Sequence, residues 1–163
     1  MHIDDNHMYH GAALLQIAEH PQFTAINSLN CEGKTLRNAY KINDATGVYF
    51  KYSKEPTSKG YTFTFTKPQI KELAQIRKAT GKLFIALVCV ADRHICCLAG
   101  KELGELLVRR KDMKGKAEGQ YTLLVTLPKG KKFRVSINHP RKRGIFLGEE
   151  VLISRSDFPN KIF

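Results

Sequence analysis

The sequence predicts an α/β (α+β) protein: a mixed β-sheet flanked by helices, with elements in the order αβββαββα, followed by a basic C-terminal β-meander. Three observations predict this. Residues 83–90 (LFIALVCV) are apolar at nearly every position, as in a strand buried on both faces of a sheet. Residues 61–66 (YTFTFT) alternate strictly, as in a strand with one buried face. Between them, Ile70, Leu73, Ala74 and Ile76 recur at helical spacing over residues 68–79.

The first helix is read over residues 10–19, with Ala13, Leu14, Ile17 and Ala18 on one face. His20-Pro21 ends it, because the residue before proline avoids helical geometry. Residues 23–29 have no clear period. Cys31-Glu32-Gly33-Lys34 is a turn, and residues 38–42 and 48–53 are strands around the turn Asn43 to Gly47. Thr66 caps the second helix, Pro68 fits its first turn, and Thr80-Gly81 closes it. Ala91-Asp92-Arg93 turns into a partner strand at residues 94–98 (HICCL), and residues 101–110 form a third helix with Leu103, Leu106 and Leu107 inward. A polar linker, RRKDMKGKAEGQ, then leads to strands at 121–127, 133–138, 145–147 and 151–154. Two units are expected: 1–110 as the α/β core and 111–163 as a basic β-rich extension packed on it.

The 163 residues are 42% hydrophobic, enough for a core, which argues against intrinsic disorder. The longest apolar run, of about nine residues, is too short to span a bilayer, which takes about 20. The first ten residues, MHIDDNHMYH, lack the basic start and apolar stretch of a signal peptide. The expected location is cytoplasmic, with no membrane. Cys31, Cys89, Cys96 and Cys97 include no CxxC pair, so a zinc ribbon is excluded and buried reduced thiols are expected.

Charge is the informative quantity. Net charge is +12. Residues 108–163 hold 14 Lys/Arg against 5 Asp/Glu, whereas residues 1–107 hold 13 against 10. Such a local excess attracts polyanions. The cations cluster at Arg109, Arg110, Lys111, Lys114 and Lys116 in the linker, at Lys129, Lys131 and Lys132 in one hairpin turn, and at Arg141, Lys142 and Arg143 in the next. Turns at opposite ends of the meander strands, with Arg134 between them, would flank a groove for phosphates. Tyr121, Phe133 and Phe146 lie among these cations, as core residues or as platforms for unpaired bases.

The stretch GVYFKYSKEPTSKGYTFTFTKPQIKELAQIRKATGKLFIALVCVADRHICCL resembles the core of archaeal-type Holliday junction resolvases and, more broadly, restriction-endonuclease-like nucleases with a PD-(D/E)xK signature. The resemblance lies in element order and hydrophobic pattern over residues 10–98. It implies a scaffold on which carboxylates hold a divalent metal, such as Mg²⁺, that activates water. By that resemblance Glu19 matches the helix carboxylate and Asp44 the first acid. Lys51 falls where E-x-K would place a carboxylate, so a cation there repels the metal. The resemblance therefore implies a nuclease-like protein without metal or other cofactor.

Other constellations are less informative. His2, Asp4, Asp5, His7 and His10 have ligand chemistry for Zn²⁺ or Ni²⁺, but the favoured reading is a solvated terminus. Cys31 with His20 or His94 matches no nucleophile motif. Rows Thr62/Thr64/Thr66 and Lys51/Ser53/Lys54 on neighbouring strands offer hydroxyls and amines to phosphate, or are an ordinary polar face. No phosphate loop, helix-turn-helix or zinc finger is present. The expectation is a nucleic-acid-binding protein, DNA or RNA, that contacts phosphates through its basic C-terminal turns. The alternatives are a metal-dependent endonuclease with non-standard ligands, and a basic assembly subunit for an acidic protein partner. Homodimerisation is left open.

Overall fold

The structure is a computed structural model that describes residues 1–113 and 119–163. Among the described residues it is an α+β protein of three helices and two sheets. The first sheet has the order β1-β2-β3-β5-β6, built from β1 (Ile26–Cys31), β2 (Lys34–Ile42), β3 (Thr46–Ser53), β5 (Lys82–Cys89) and β6 (His94–Ala99). The second has the order β4-β7-β8-β9, built from β4 (Tyr61–Phe65), β7 (Tyr121–Thr126), β8 (Phe133–Ile137) and β9 (Val151–Ile153). Among the described strands only β3 and β5 run parallel. The chain between them passes through β4 and helix α2 (Lys67–Thr80).

Helix α1 (Asp5–Ala18) starts five residues ahead of the sequence reading. A reciprocal cap explains the difference. Asp4 Oδ1 accepts from the His7 backbone N–H at 2.9 Å, and His7 Nδ1 accepts from the Asp4 N–H at 3.1 Å. The terminus read as solvated is therefore the first turn of a helix. Strand β1 forms in the segment without a period, because its order comes from pairing with β2 rather than from its own pattern. The turn joining them has two residues, Glu32 (φ 51°) and Gly33 (φ 76°), both left-handed as a tight hairpin requires.

Strand β4 leaves the first sheet. It pairs with β7, so Tyr61 lies opposite Val125 and Phe65 opposite Tyr121. The meander is thus a four-stranded sheet whose first strand is supplied from the N-terminal half of the chain. The rows of Thr62 and Lys51 consequently lie in different sheets. Residues 145–147 contribute a single bridge, Phe146 to Asn138. Helix α3 (Gly100–Asp112) continues through residues read as linker. A short 3-10 turn, Asn160–Ile162, ends the chain.

Strand β5 organises the core. Its Leu83, Ile85, Leu87 and Cys89 face α2, α3 and the inner face of the second sheet, whose Phe63, Phe65, Leu123, Val125, Phe133 and Val135 are buried. Its Ala86 and Val88 face the other way, onto Ala13 and Ile17 of α1 and onto Phe158 and Ile162. One hydrophobic cluster therefore spans both sheets. No helix among the described residues is long and apolar enough to cross a membrane.

Two substitutions test this packing. Ile85 and Leu87 are fully buried. Ile85→Asp or Leu87→Asp places an unpaired charge in the core, at several kcal/mol, and should leave no soluble folded protein on expression. Gly47 lies under α2, where an added Cβ would approach Ile76 Cγ2 to 2.4 Å and Thr80 Oγ1 to 2.8 Å. Gly47→Ala should therefore lower stability by about 1–3 kcal/mol, read as a reduced urea midpoint with an unchanged slope.

Candidate nucleic-acid interface

Four loops converge at the end of the molecule where β3 and β5 finish. The β5–β6 turn is bound to β3's exit, with Val90 N–H donating to Ser53 O at 3.0 Å and Ala91 N–H to Lys54 O at 3.1 Å. The Tyr61 hydroxyl joins this turn to the second sheet: it donates to Asp92 Oδ2 at 2.5 Å and accepts from the Asp92 N–H at 3.0 Å. The first basic turn, between β7 and β8, leaves the second sheet at the same end, because Tyr61 opposes Val125. Arg155 pins it, donating from Nε to Lys131 O and from Nη2 to Pro128 O, each at 2.8 Å, while its guanidinium lies over the Phe133 ring.

The second basic turn leaves β8 at the opposite end, as expected, but folds back. Lys59 Nζ donates to Gly144 O, and Lys59 is adjacent to Gly60, which packs on the Val125 carbonyl. His139 Nδ1 accepts from the N–H groups of Arg141 (3.0 Å) and Lys142 (3.1 Å), which fixes the loop. Leu124 and Ser136 point away from the core by strand parity, yet both are buried. The returning loop is tied to the segment between β3 and β4 through the Lys59–Gly144 contact.

The nominated cations divide into two groups. Lys111, Lys129, Lys131, Lys132, Arg141, Lys142 and Arg143 are exposed and form no ion pair among the described residues. Arg110 is buried and donates from Nε to Asn138 O at 3.2 Å, tying α3 to the meander. Arg109 Nε lies 3.2 Å from Glu149, and Arg134 Nε 3.9 Å from Glu150. Lys114 and Lys116 fall outside the described residues. The sequence reading missed Lys59, Arg93 and Arg155, which the fold carries to the same end. Each stands alone in sequence, so no local cluster marks it. Tyr121 and Phe133 are core residues, and Phe146 is half-buried.

The three residues nominated for metal chemistry do not meet. Glu19 caps the C-terminus of α1, exposed on the α1 side of the first sheet. Asp44 is exposed in the β2–β3 turn. Lys51 lies seven residues further along β3, about 20 Å away at the rise of a strand, on the α2 face. They do not fit a shared Mg²⁺. Among the described residues no group of three or more His, Cys, Asp or Glu is placed to hold a metal.

Lys51 instead belongs to a half-buried polar cluster. Its Nζ donates to Gln69 Oε1 at 3.0 Å and lies 4.9 Å from the Phe65 ring centroid. Burial lowers its pKa, which the charge of Glu72 partly restores. The Tyr49 hydroxyl donates to Glu72 Oε2 at 3.3 Å, and burial pushes its pKa up to about 12. Tyr121 stacks on Phe65 at 5.2 Å, its hydroxyl buried without a hydrogen-bond partner among the described residues. On the other face of the sheet His10 packs against Phe50 and Tyr52, with a buried Nε2 that has no hydrogen-bond partner among the described residues. The four cysteines are free and buried, and burial raises the thiol pKa of each. They are therefore poor nucleophiles.

Scans against protein-family models, curated proteins and solved structures each found no match to this chain.

Burial, opposed by Asp4 and reinforced by Lys51, lowers the His10 pKa from 6.5 to about 4. The folded state keeps His10 neutral while the unfolded chain takes up a proton below pH 6.5. Its contribution is thus fully present above pH 6.5 and is lost as the pH falls toward 4. The expected result is a smaller drop in urea-unfolding free energy from pH 7 to pH 4.5 for His10→Phe than for the parent protein.

Proposed function

We propose that this chain is a nucleic-acid-binding protein on a nuclease-like scaffold, which grips the phosphate backbone without cutting it. The observation that carries this reading is the convergence of separate loops into one charged end, with the second basic turn folded back through Lys59 and Gly144. Exposed amines and guanidinia on pinned turns can meet phosphates without being buried in protein. Tyr121 and Phe133 are committed to the core, so contact with the backbone is favoured over base stacking.

The scaffold part of the proposal rests on element order. A leading helix, strands, a second helix and the buried strand β5 succeed one another in the chain as the resemblance implies, and it is this element order alone that supports the scaffold, because β4, read as its third strand, pairs with β7 in the second sheet. Fold likeness alone does not establish activity. The separation of Glu19, Asp44 and Lys51 supports binding without metal-assisted hydrolysis.

The test is a titration of DNA and RNA oligonucleotides, single- and double-stranded, at several salt concentrations. Replacing Arg141, Lys142 and Arg143 together by Ala should weaken binding on the order of tenfold or more. It should also flatten log affinity against log salt by about one unit per lost phosphate contact, with the fold intact. An unchanged slope would move the contact to other cations. Absence of binding to every oligonucleotide would favour an acidic protein partner. Incubation with Mg²⁺ or Mn²⁺ should leave the nucleic acid intact, and cleavage abolished by Asp44→Ala would overturn that part.

A further inference from the structure

We propose that Glu149 and Glu150 are internal stand-ins for phosphate, which neutralise Arg109 and Arg134 in the free protein and yield both arginines to a bound backbone. The inference rests on the binding function proposed above and adds a regulation to it. Glu149 and Glu150 are the only acids between residues 119 and 156. Each sits on a cation nominated for phosphate contact, Glu149 on Arg109 and Glu150 on Arg134.

Their position makes them competitors. Arg134 is the outward residue of β8, opposite Thr126 and Leu152, on the strand that joins the two basic turns. A backbone lying across both turns passes over it. Glu150, just ahead of β9, occupies the site that a phosphate oxygen would take. Arg109 stands in the last turn of α3, held by Glu149 alone among the described acids.

The hold is of the exchangeable kind. Arg109 Nε approaches Glu149 Oε2 at 3.2 Å, and the Arg134 pair is long, with Nε 3.9 Å from Glu150 Oε2. The Glu149 side chain is 79% exposed, so solvent screens the pair. A phosphate offers more acceptor oxygens and supports a bidentate, charge-assisted contact. Exchange of carboxylate for phosphate therefore favours the complex where phosphates are dense. Elsewhere the acids keep the arginines occupied and repel stray polyanions, which sharpens the boundary of the interface.

The experiment is a double-mutant cycle on the full chain, with a nucleic-acid duplex as probe and the salt slope as readout. Glu149→Gln with Glu150→Gln should tighten binding on the order of tenfold at low salt and steepen the slope by about two units, one per released arginine. Arg109→Ala with Arg134→Ala should weaken binding of the parent protein, since the bound backbone loses both contacts, but by less than the same two substitutions do in the Gln background. The same two substitutions in the Gln background should cancel the gain. A gain that survives loss of the arginines reports only the general field and overturns the proposal. So does the absence of any gain. If the Arg109 variants do not fold, the exposed Arg134–Glu150 half of the cycle decides alone, with about one unit of slope at stake. A parent protein that binds no nucleic acid, as judged with the Arg141–Lys142–Arg143 variant alongside, refutes the binding function itself rather than the gating by the acids.

Discussion

Strand β5 is apolar on both faces, and a strand of that kind cannot rest against water on either side. The other layers answer that requirement. Helix α1 and the C-terminal Phe158 and Ile162 cover Ala86 and Val88, while α2, α3 and the second sheet cover Ile85 and Leu87. The partners β3 and β6 satisfy its backbone. The parallel join to β3 has a consequence at one end of the molecule. It obliges the chain to travel the length of the sheet between the two strands, and the chain builds β4 and α2 on the way. A β-bearing extension thereby gains a strand from the preceding half and shares its hydrophobic core.

The same connection decides where charge collects. Because β4 begins beside the end of β3, the loop 54–60, the β5–β6 turn and the first basic turn emerge together. Specific polar contacts then hold them: Tyr61 to Asp92, Arg155 to the carbonyls of Pro128 and Lys131, and Lys59 to Gly144. Each fixes a loop through a backbone or partly buried group, and leaves the lysines and arginines of the turns free in solvent. Rigid placement would favour the polyanion partner proposed above, since ordering long side chains and loops on binding costs conformational entropy.

Legibility differed sharply between fold and site. The basic turns were readable because glycine and proline mark them as exposed and their cations are consecutive. The cluster around Lys51 was not. Its members Tyr49, Gln69, Glu72 and Tyr121 come from three elements with ordinary local roles, and only the packing of α2 and β7 against β3 brings them together. Arg110 shows the converse. Consecutive charges suggested a solvated linker, but α3 runs on to Asp112, and the helical turn points Arg110 inward to the carbonyl of Asn138. The N-terminal cap is an intermediate case. Asp4 and His7 stand at capping distance in sequence, but the same residue types serve metal ligation, and only the backbone geometry of the helix start separates the two roles.

What the sequence determined by itself were the elements whose order is local. Alternation in YTFTFT, continuity in LFIALVCV and the Thr66 to Gly81 boundaries each state a strand or helix, because period and end residues act within a few positions. The excess of cations in the last third is equally a property of the chain. What the tertiary structure decided was partnership. Strand periodicity names the buried face but not the neighbour, so YTFTFT fits either sheet until β7 arrives to pair with it. Segment 26–31, without a period, became a strand only through its hydrogen bonds to β2. Likewise a run of arginines and lysines fixes net charge, while ion pairs and burial form across loops distant in sequence. Those contacts alone separate the free cations of the turns from Arg109, Arg110 and Arg134.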